Sequence, residues 1–167
     1  LSEQFDSMRR WVEFVRSQGE NEYLWESGRQ YGDWMAFDGP CPWEDISQEA
    51  ECSGGTHPYL VSSAFYAYST ELLVKAGNAL GKDMSEYSKL HEKIRSEFQK
   101  RYMADGKIIS DTQTAWVLAL QFGLAPDRKA AAEKLAGLIH DAGDVLKTGF
   151  VGSPYLLHAL SQNGYTE

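Results

Sequence analysis

Apolar positions recur at helical spacing along most of the chain. Over residues 4–18, Phe5, Met8, Trp11, Val12 and Val15 share one face while Arg9, Arg10, Glu13 and Arg16 share the other, which predicts an amphipathic helix ended by Gly19. A second helix is expected from Thr56 or His57, with Pro58 in its first turn, to about Leu80. Leu60, Ala64, Ala67, Leu72, Ala76 and Leu80 are apolar there, and so are Phe65, Tyr68 and Leu73 opposite them, the pattern of a helix buried on more than one side. Asp83-Met84-Ser85-Glu86 resembles a capping box with Asp in place of Ser or Thr, opening a surface helix to about Tyr102 with Tyr87, Leu90, Ile94 and Phe98 inward. A turn follows at Ala104-Asp105-Gly106-Lys107. Ser110 or Asp111 then caps a largely apolar helix to Phe122, Pro126 starts an amphipathic one to about His140, and Ser153-Pro154 opens the last, to Leu160.

Buried and surface helices thus alternate, the mark of an inner ring of helices wrapped by an outer one. The fold class is all-α, with hairpins of paired helices. No fixed-period repeat runs through the pairs, which sets the chain apart from a helical solenoid. Residues 20–55 break the pattern: they have no sustained period and are rich in Gly and Pro. Tyr23, Trp25, Tyr31, Trp34, Phe37 and Trp43 make disorder a poor reading, so this stretch is expected to be an ordered functional loop. Gly54-Gly55-Thr56, the run Ser110 to Thr114 and the run Thr148 to Ser153 each precede an inner helix, and would share one rim with Gly32-Asp33-Trp34.

Composition narrows the ligand. The 167 residues, 43% hydrophobic and 24% charged, suit one domain with a real core. A net charge of −8 argues against nucleic acid or an anionic membrane as partner and favours a neutral ligand. Aromatics reach 13%, with five Trp and nine Tyr, which serves either stacking on sugars or a large core. No apolar run approaches a membrane span and no charged-then-apolar leader opens the chain, which starts at Leu1 as a mature or excised piece would. A cytoplasmic and a periplasmic or secreted location stay open. Cys41 and Cys52 share one loop, as a small disulfide or as two thiols; with His57 nearby a metal site is conceivable, but the spacing of structural zinc ligands is missing. Nucleophile elbow, P-loop and dinucleotide fingerprint are all missing, so no cofactor is expected.

The ordered set Tyr31-Gly32-Asp33-Trp34, Ala64-Phe65-Tyr66-Ala67-Tyr68-Ser69, Ser110-Asp111-Thr112-Gln113-Thr114-Ala115, Thr148-Gly149-Phe150-Val151-Gly152-Ser153-Pro154-Tyr155-Leu156-Leu157 and Leu160-Ser161-Gln162-Asn163-Gly164-Tyr165-Thr166 resembles the bacterial α-L-rhamnosidase family over nearly the whole chain. The resemblance implies an (α/α)6 toroid and inverting hydrolysis of terminal α-L-rhamnose. Inversion uses a general acid and a general base with carboxyls roughly 6.5–9.5 Å apart. The family's acid lies on a Glu-Arg-x-Gly-Trp stretch and its base on a downstream Glu, and Glu13-Phe14-Val15-Arg16 does not match the former. Residues 1–167 are therefore expected to be a partial catalytic barrel domain, a middle section with both catalytic carboxylates elsewhere and no turnover of its own. Its barrel edges would be exposed, which favours self-association.

The residues assigned to substrate are Asp33, Trp34, Tyr31, His57 and Gln113, and no metal ligand is expected. Asp33 would accept hydrogen bonds from rhamnose hydroxyls, or else cap a helix or pair with Arg29. Trp34 would be a stacking wall or a core residue. Gln113 either touches ligand or holds the neighbouring loop, and His57 touches ligand or caps its helix. Asp111 is read as a cap, Thr148 and Gly149 as turn formers, Phe150 and Tyr155 as core rather than rim, and His91 and His140 as solvated. Two other readings remain: another sugar-processing enzyme on the same toroid, and a non-catalytic helical interaction module.

Overall fold

Among the described residues six helices follow one another: α1 (Ser2–Arg16), α2 (Pro58–Ala79), α3 (Ser85–Tyr102), α4 (Gln113–Gln121), α5 (Arg128–Asp141) and α6 (Ser153–Ser161). The computed structural model describes residues 1–39 and 54–166, so the Cys41 and Cys52 pair, Trp43 and residues 40–53 of the expected loop lie outside the described residues. α2, α4 and α6 form an inner row, α4 touching both others; α1 and α3 pack on α2, and α5 packs on α4. That is the expected alternation of outer and inner helices, with α2–α3 and α4–α5 the most closely packed consecutive pairs.

The inner helices are apolar because they are covered from several sides. Residues Ala115 to Leu120 of α4 are all buried, as are Leu60, Ala64, Ala67 and Leu73 of α2. Aromatic rings hold the inner row together at its lower end. Tyr68 of α2 stacks on Phe122 at the end of α4, with centroids 4.2 Å apart, and Tyr155 of α6 meets Phe122 edge-on at 5.1 Å. Outer helices show one buried stripe each: Leu90, Ile94, Phe98 and Tyr102 in α3, and Ala131, Ala132 and Leu135 in α5.

α2 carries a second pattern that its apolar character conceals. Tyr59, Ser62, Ser63 and Tyr66 stand at i, i+3, i+4 and i+7, a hydroxyl stripe on one face. The Ser62 and Tyr66 hydroxyls donate to the carbonyls of Trp25 and Glu22 at 2.7 and 3.1 Å, Tyr59 donates to that of Gly28 at 3.3 Å, and Ser63 Oγ accepts the Trp25 N–H at 3.1 Å. Residues 22–28 thus satisfy their backbone groups on α2 side chains instead of on a ladder, which is how a segment without periodicity is ordered.

Several local expectations are corrected. Trp11 and Phe14 of α1 are exposed and stack on each other, while Phe5, Val12 and Val15 carry the buried face. Leu72 also faces outward. The expected turn at 104–107 is present, as the tip of a two-stranded hairpin of β1 (Met103–Ala104) with β2 (Lys107–Ile108). Asp105 and Gly106 both have positive φ there, as a two-residue hairpin turn requires. Asp83 accepts from the Ser85 N–H at 2.9 Å instead of closing a capping box three residues on. α4 is capped by Thr112, not Ser110 or Asp111, and α5 by Asp127 rather than started by Pro126. His91 is half-buried: its Nε2 has no partner, and burial lowers its pKa.

Candidate functional site

The N-terminal ends of the three inner helices lie on one rim, and each is capped by the protein's own groups. His57 Nδ1 accepts the Tyr59 N–H at 3.2 Å and caps α2. Thr112 Oγ1 accepts the Ala115 N–H at 3.1 Å and caps α4, while bonding Thr56 Oγ1 at 2.6 Å. At α6 the acceptor comes from far away in sequence: Asp33. Its Oδ1 accepts the N–H groups of Val151 at 3.1 Å and Gly152 at 3.4 Å, and its Oδ2 accepts that of Gly149 at 2.8 Å and the Thr114 hydroxyl. A carboxylate just ahead of a helix is favourable, because the helix N-terminus carries partial positive charge. With the caps taken internally, this rim is no anion site.

Asp33 has 0% exposure, and both its oxygens are engaged. It therefore acts as a clamp inside the rim and presents no acceptor to a ligand within these residues. The same holds for Gln113, 3% exposed: its Nε2 donates to the Val145 carbonyl at 3.0 Å and its Oε1 accepts the Lys147 N–H at 2.9 Å. Of its two expected roles, the geometry gives it the holding of the neighbouring loop. Asp111 is no cap. Its Oδ1 accepts the Trp116 indole N–H at 2.7 Å and its Oδ2 faces Lys134 Nζ at 2.9 Å. Burial acts to raise its pKa, but these partners outweigh it and hold the carboxyl below the usual range.

Asp33 brings two loops into backbone contact. The Phe150 N–H donates to the Trp34 carbonyl and the Phe37 N–H to the Lys147 carbonyl, both at 2.9 Å, so residues 34–37 and 147–150 run side by side. The approach is so close at Gly149 that a Cβ there would meet the Ala36 nitrogen at 2.6 Å and the Asp33 carbonyl at 2.7 Å. Asp38 closes the other flank, its Oδ1 accepting the Gly55 N–H at 2.8 Å, while its Oδ2 is buried without a partner. Burial raises the Asp38 pKa, opposed by the Gly55 N–H and helped by the nearby charge of Asp33.

What remains open to solvent on this rim is mostly aromatic. Trp34 is 48% exposed and Phe150, expected in the core, is 64% exposed; the rings meet with centroids 5.3 Å apart and planes tilted by 30°. Tyr31 is 72% exposed, beneath the Arg29 guanidinium at 5.6 Å. His57 is exposed and, with Nδ1 accepting, turns its Nε2 edge outward. Of the five residues assigned from sequence, Trp34, Tyr31 and His57 offer surface, while Asp33 and Gln113 hold the loops beneath. Thr114, Asp38 and Phe150 were missed. Nothing local marks Thr114 or Asp38, but Phe150 lies in a glycine-flanked loop ahead of a helix, where an aromatic has little core to enter. Among the described residues, no group of three or more His, Cys, Asp or Glu is placed to hold a metal ion.

A row of alternating outer and inner helices, with capped inner helices and an aromatic rim, is the architecture of a helical-barrel glycosidase. The whole chain, residues 1–167, matches the bacterial alpha-L-rhamnosidase 6 hairpin glycosidase domain, and the chain belongs to that family. It is 35% identical over 170 residues to an alpha-L-rhamnosidase of Streptomyces avermitilis and 31% identical over 174 residues to one of Alteromonas sp.. Each alignment spans 100% of this chain but only 15% and 18% of those proteins. The crystal structure of the Streptomyces avermitilis enzyme complexed with L-rhamnose superposes with a TM-score of 0.84 at 32% identity, over 99% of this chain and 15% of that one. Native α-L-rhamnosidase from Aspergillus terreus gives 0.85 at 32% identity, over 99% of this chain and 19% of that one.

Proposed function

We propose that this chain is the sugar-holding middle section of an inverting α-L-rhamnosidase, supplying the wall and rim of the pocket that receives a terminal α-L-rhamnose. The observation that carries the reading is Trp34: an indole left half-exposed, on a loop clamped from beneath by the buried Asp33 carboxylate. A flat apolar face suits the C–H face of a pyranose. His57 Nε2 and the Tyr31 hydroxyl are the groups available to the sugar's hydroxyls. Asp33 and Gln113 set the position of that surface without touching the sugar.

General acid and general base come from outside these residues. Three carboxylates near the rim are otherwise engaged, Asp33 in its clamp, Asp111 with Trp116 and Lys134, and Glu26 with Arg101 and Tyr102 at 2.9 and 2.6 Å, while Asp38 keeps one oxygen buried away from solvent. The chain alone is accordingly inert toward rhamnosides. Exposed Trp11 and Phe14 on α1 and Leu157 on α6 further support self-association of the isolated chain with a second copy, read as a dimer by sedimentation equilibrium. For the binding reading, the test is titration with L-rhamnose followed at the Trp34 indole N–H by NMR. A saturable shift with L-rhamnose, stronger than with D-glucose, is expected, as is loss of the accompanying backbone amide shifts of residues 149–152 in Trp34→Ala; no shift, or one indifferent to the sugar, overturns the reading.

A further inference from the structure

Resting on that reading, we propose that Ser110 is a positioning residue for the sugar site: from the start of α4 it holds His57 at the start of α2, so that the imidazole presents Nε2–H outward as a hydrogen-bond donor. Ser110 stands in the polar run ahead of α4, yet Thr112 caps that helix. The Ser110 hydroxyl instead serves a residue 53 positions away, its Oγ accepting the His57 N–H at 2.9 Å. That bond lies in the open, where water would serve the same N–H, so it adds little stability. What it fixes is position.

Neighbouring contacts fix the same point from other sides. Thr112 Oγ1 meets the Oγ1 of buried Thr56 at 2.6 Å. The Thr112 N–H donates to the Ser110 carbonyl at 2.8 Å, which ties the two anchors into one turn. Gly55 leaves little slack: a Cβ there would lie 3.0 Å from the Asp38 carbonyl oxygen and 3.2 Å from Thr112 Cγ2. The chain entering α2 is thus pressed between the loop at Asp38 and the start of α4.

The ring itself is held at its other nitrogen. His57 Nδ1 accepts the Tyr59 N–H at 3.2 Å, and the Tyr59 ring lies beside it with centroids 5.7 Å apart. An imidazole nitrogen that accepts carries no hydrogen, so the neutral ring holds its hydrogen on Nε2. Fixed at its backbone N–H and at Nδ1, His57 offers a donor of set direction to the oxygen of a sugar hydroxyl. A group fixed in advance loses less freedom when a ligand binds.

The test follows L-rhamnose binding by NMR on the full chain, in wild type, Ser110→Ala, Ser110→Thr, His57→Asn and the double variant of Ser110→Ala with His57→Asn. Asn keeps an acceptor for the Tyr59 N–H, so α2 stays capped while the imidazole donor is removed. The nitrogen signals of the wild-type His57 ring should show hydrogen on Nε2 and move on titration. Ser110→Ala should weaken L-rhamnose roughly three- to tenfold with Tm held within about 2 °C, and Ser110→Thr should restore the affinity. A purely structural role for Ser110 would lower Tm and act equally with and without His57. Here Ser110→Ala should bring no further loss in the His57→Asn background. Hydrogen on Nδ1, unchanged affinity in Ser110→Ala, or an equal loss in both backgrounds overturns this inference while leaving the Trp34 reading in place. Failure of wild type to bind L-rhamnose overturns both.

Discussion

The amide of Gly149 donates to the carboxylate of Asp33 at 2.8 Å, joining residues 116 positions apart at the centre of the rim. Val151, Gly152 and Thr114 complete the set of donors around that carboxylate. Asp33→Asn keeps the shape but turns an NH2 group toward donors, leaving buried N–H groups without an acceptor. The expected loss is about 2–4 kcal/mol. At this chain length that is a fall in Tm of roughly 4–16 °C, checked by thermal denaturation. A fall within 1–2 °C would contradict the clamp.

Gly149→Ala tests the closeness of the two loops rather than the charge. Its Cβ would press on the Trp34 carbonyl and the Ala36 nitrogen, so the loops must part and the Phe150 N–H loses its acceptor. A destabilisation of about 3 kcal/mol is expected from overpacking of this kind. Circular dichroism melts give the size of the loss, and the Trp34 indole N–H shift reports whether the rings separate.

Gln113→Leu removes both anchors of the 145–147 loop while preserving an apolar, buried side chain. The Val145 carbonyl and the Lys147 N–H lose their partners, at a cost of about 1–2 kcal/mol. L-Rhamnose should then bind more weakly, through the loop that Gln113 holds. Faster hydrogen exchange at Lys147, measured by NMR, checks the mechanism.

Asp38 provides the pH dependence. Burial raises its folded-state pKa above the ordinary 3.8. The proton-bound form is therefore favoured by folding. Its stabilisation is complete below pH 3.8 and is lost as pH rises through the folded-state value. Asp38→Asn, which keeps the acceptor for the Gly55 N–H, should raise Tm at pH 7 relative to wild type and bring little gain at pH 3.5. Equal effects at the two pH values would contradict this assignment.

Much of this architecture is legible in the chain because burial on several sides and burial on one side leave different sequence patterns, as in α4 against α3. The shared rim follows from small and polar residues ahead of each inner helix. The division of labour on that rim was not legible. Asp33 and Trp34 are adjacent, and sequence offers no reason to bury one and expose the other; the reason is the Gly149 backbone, which arrives from the far end of the chain. Phe150 is exposed for a reason the sequence does carry, its place in a glycine-flanked loop ahead of a helix, but the clamp that pins that loop from below is not legible there. The hydroxyl stripe of α2 was visible at i, i+3, i+4 and i+7, but its meaning depends on which backbone lies against it.

On the proposed reading, this chain holds rhamnose and leaves the chemistry to carboxylates outside it. The most direct measurement places the purified 167-residue chain with 4-nitrophenyl α-L-rhamnopyranoside and follows the Trp34 indole N–H and nitrophenolate release together. Saturable movement of the indole signal with no release above the enzyme-free rate is the predicted result. Steady release of nitrophenolate, or an indole signal that never moves, would contradict it.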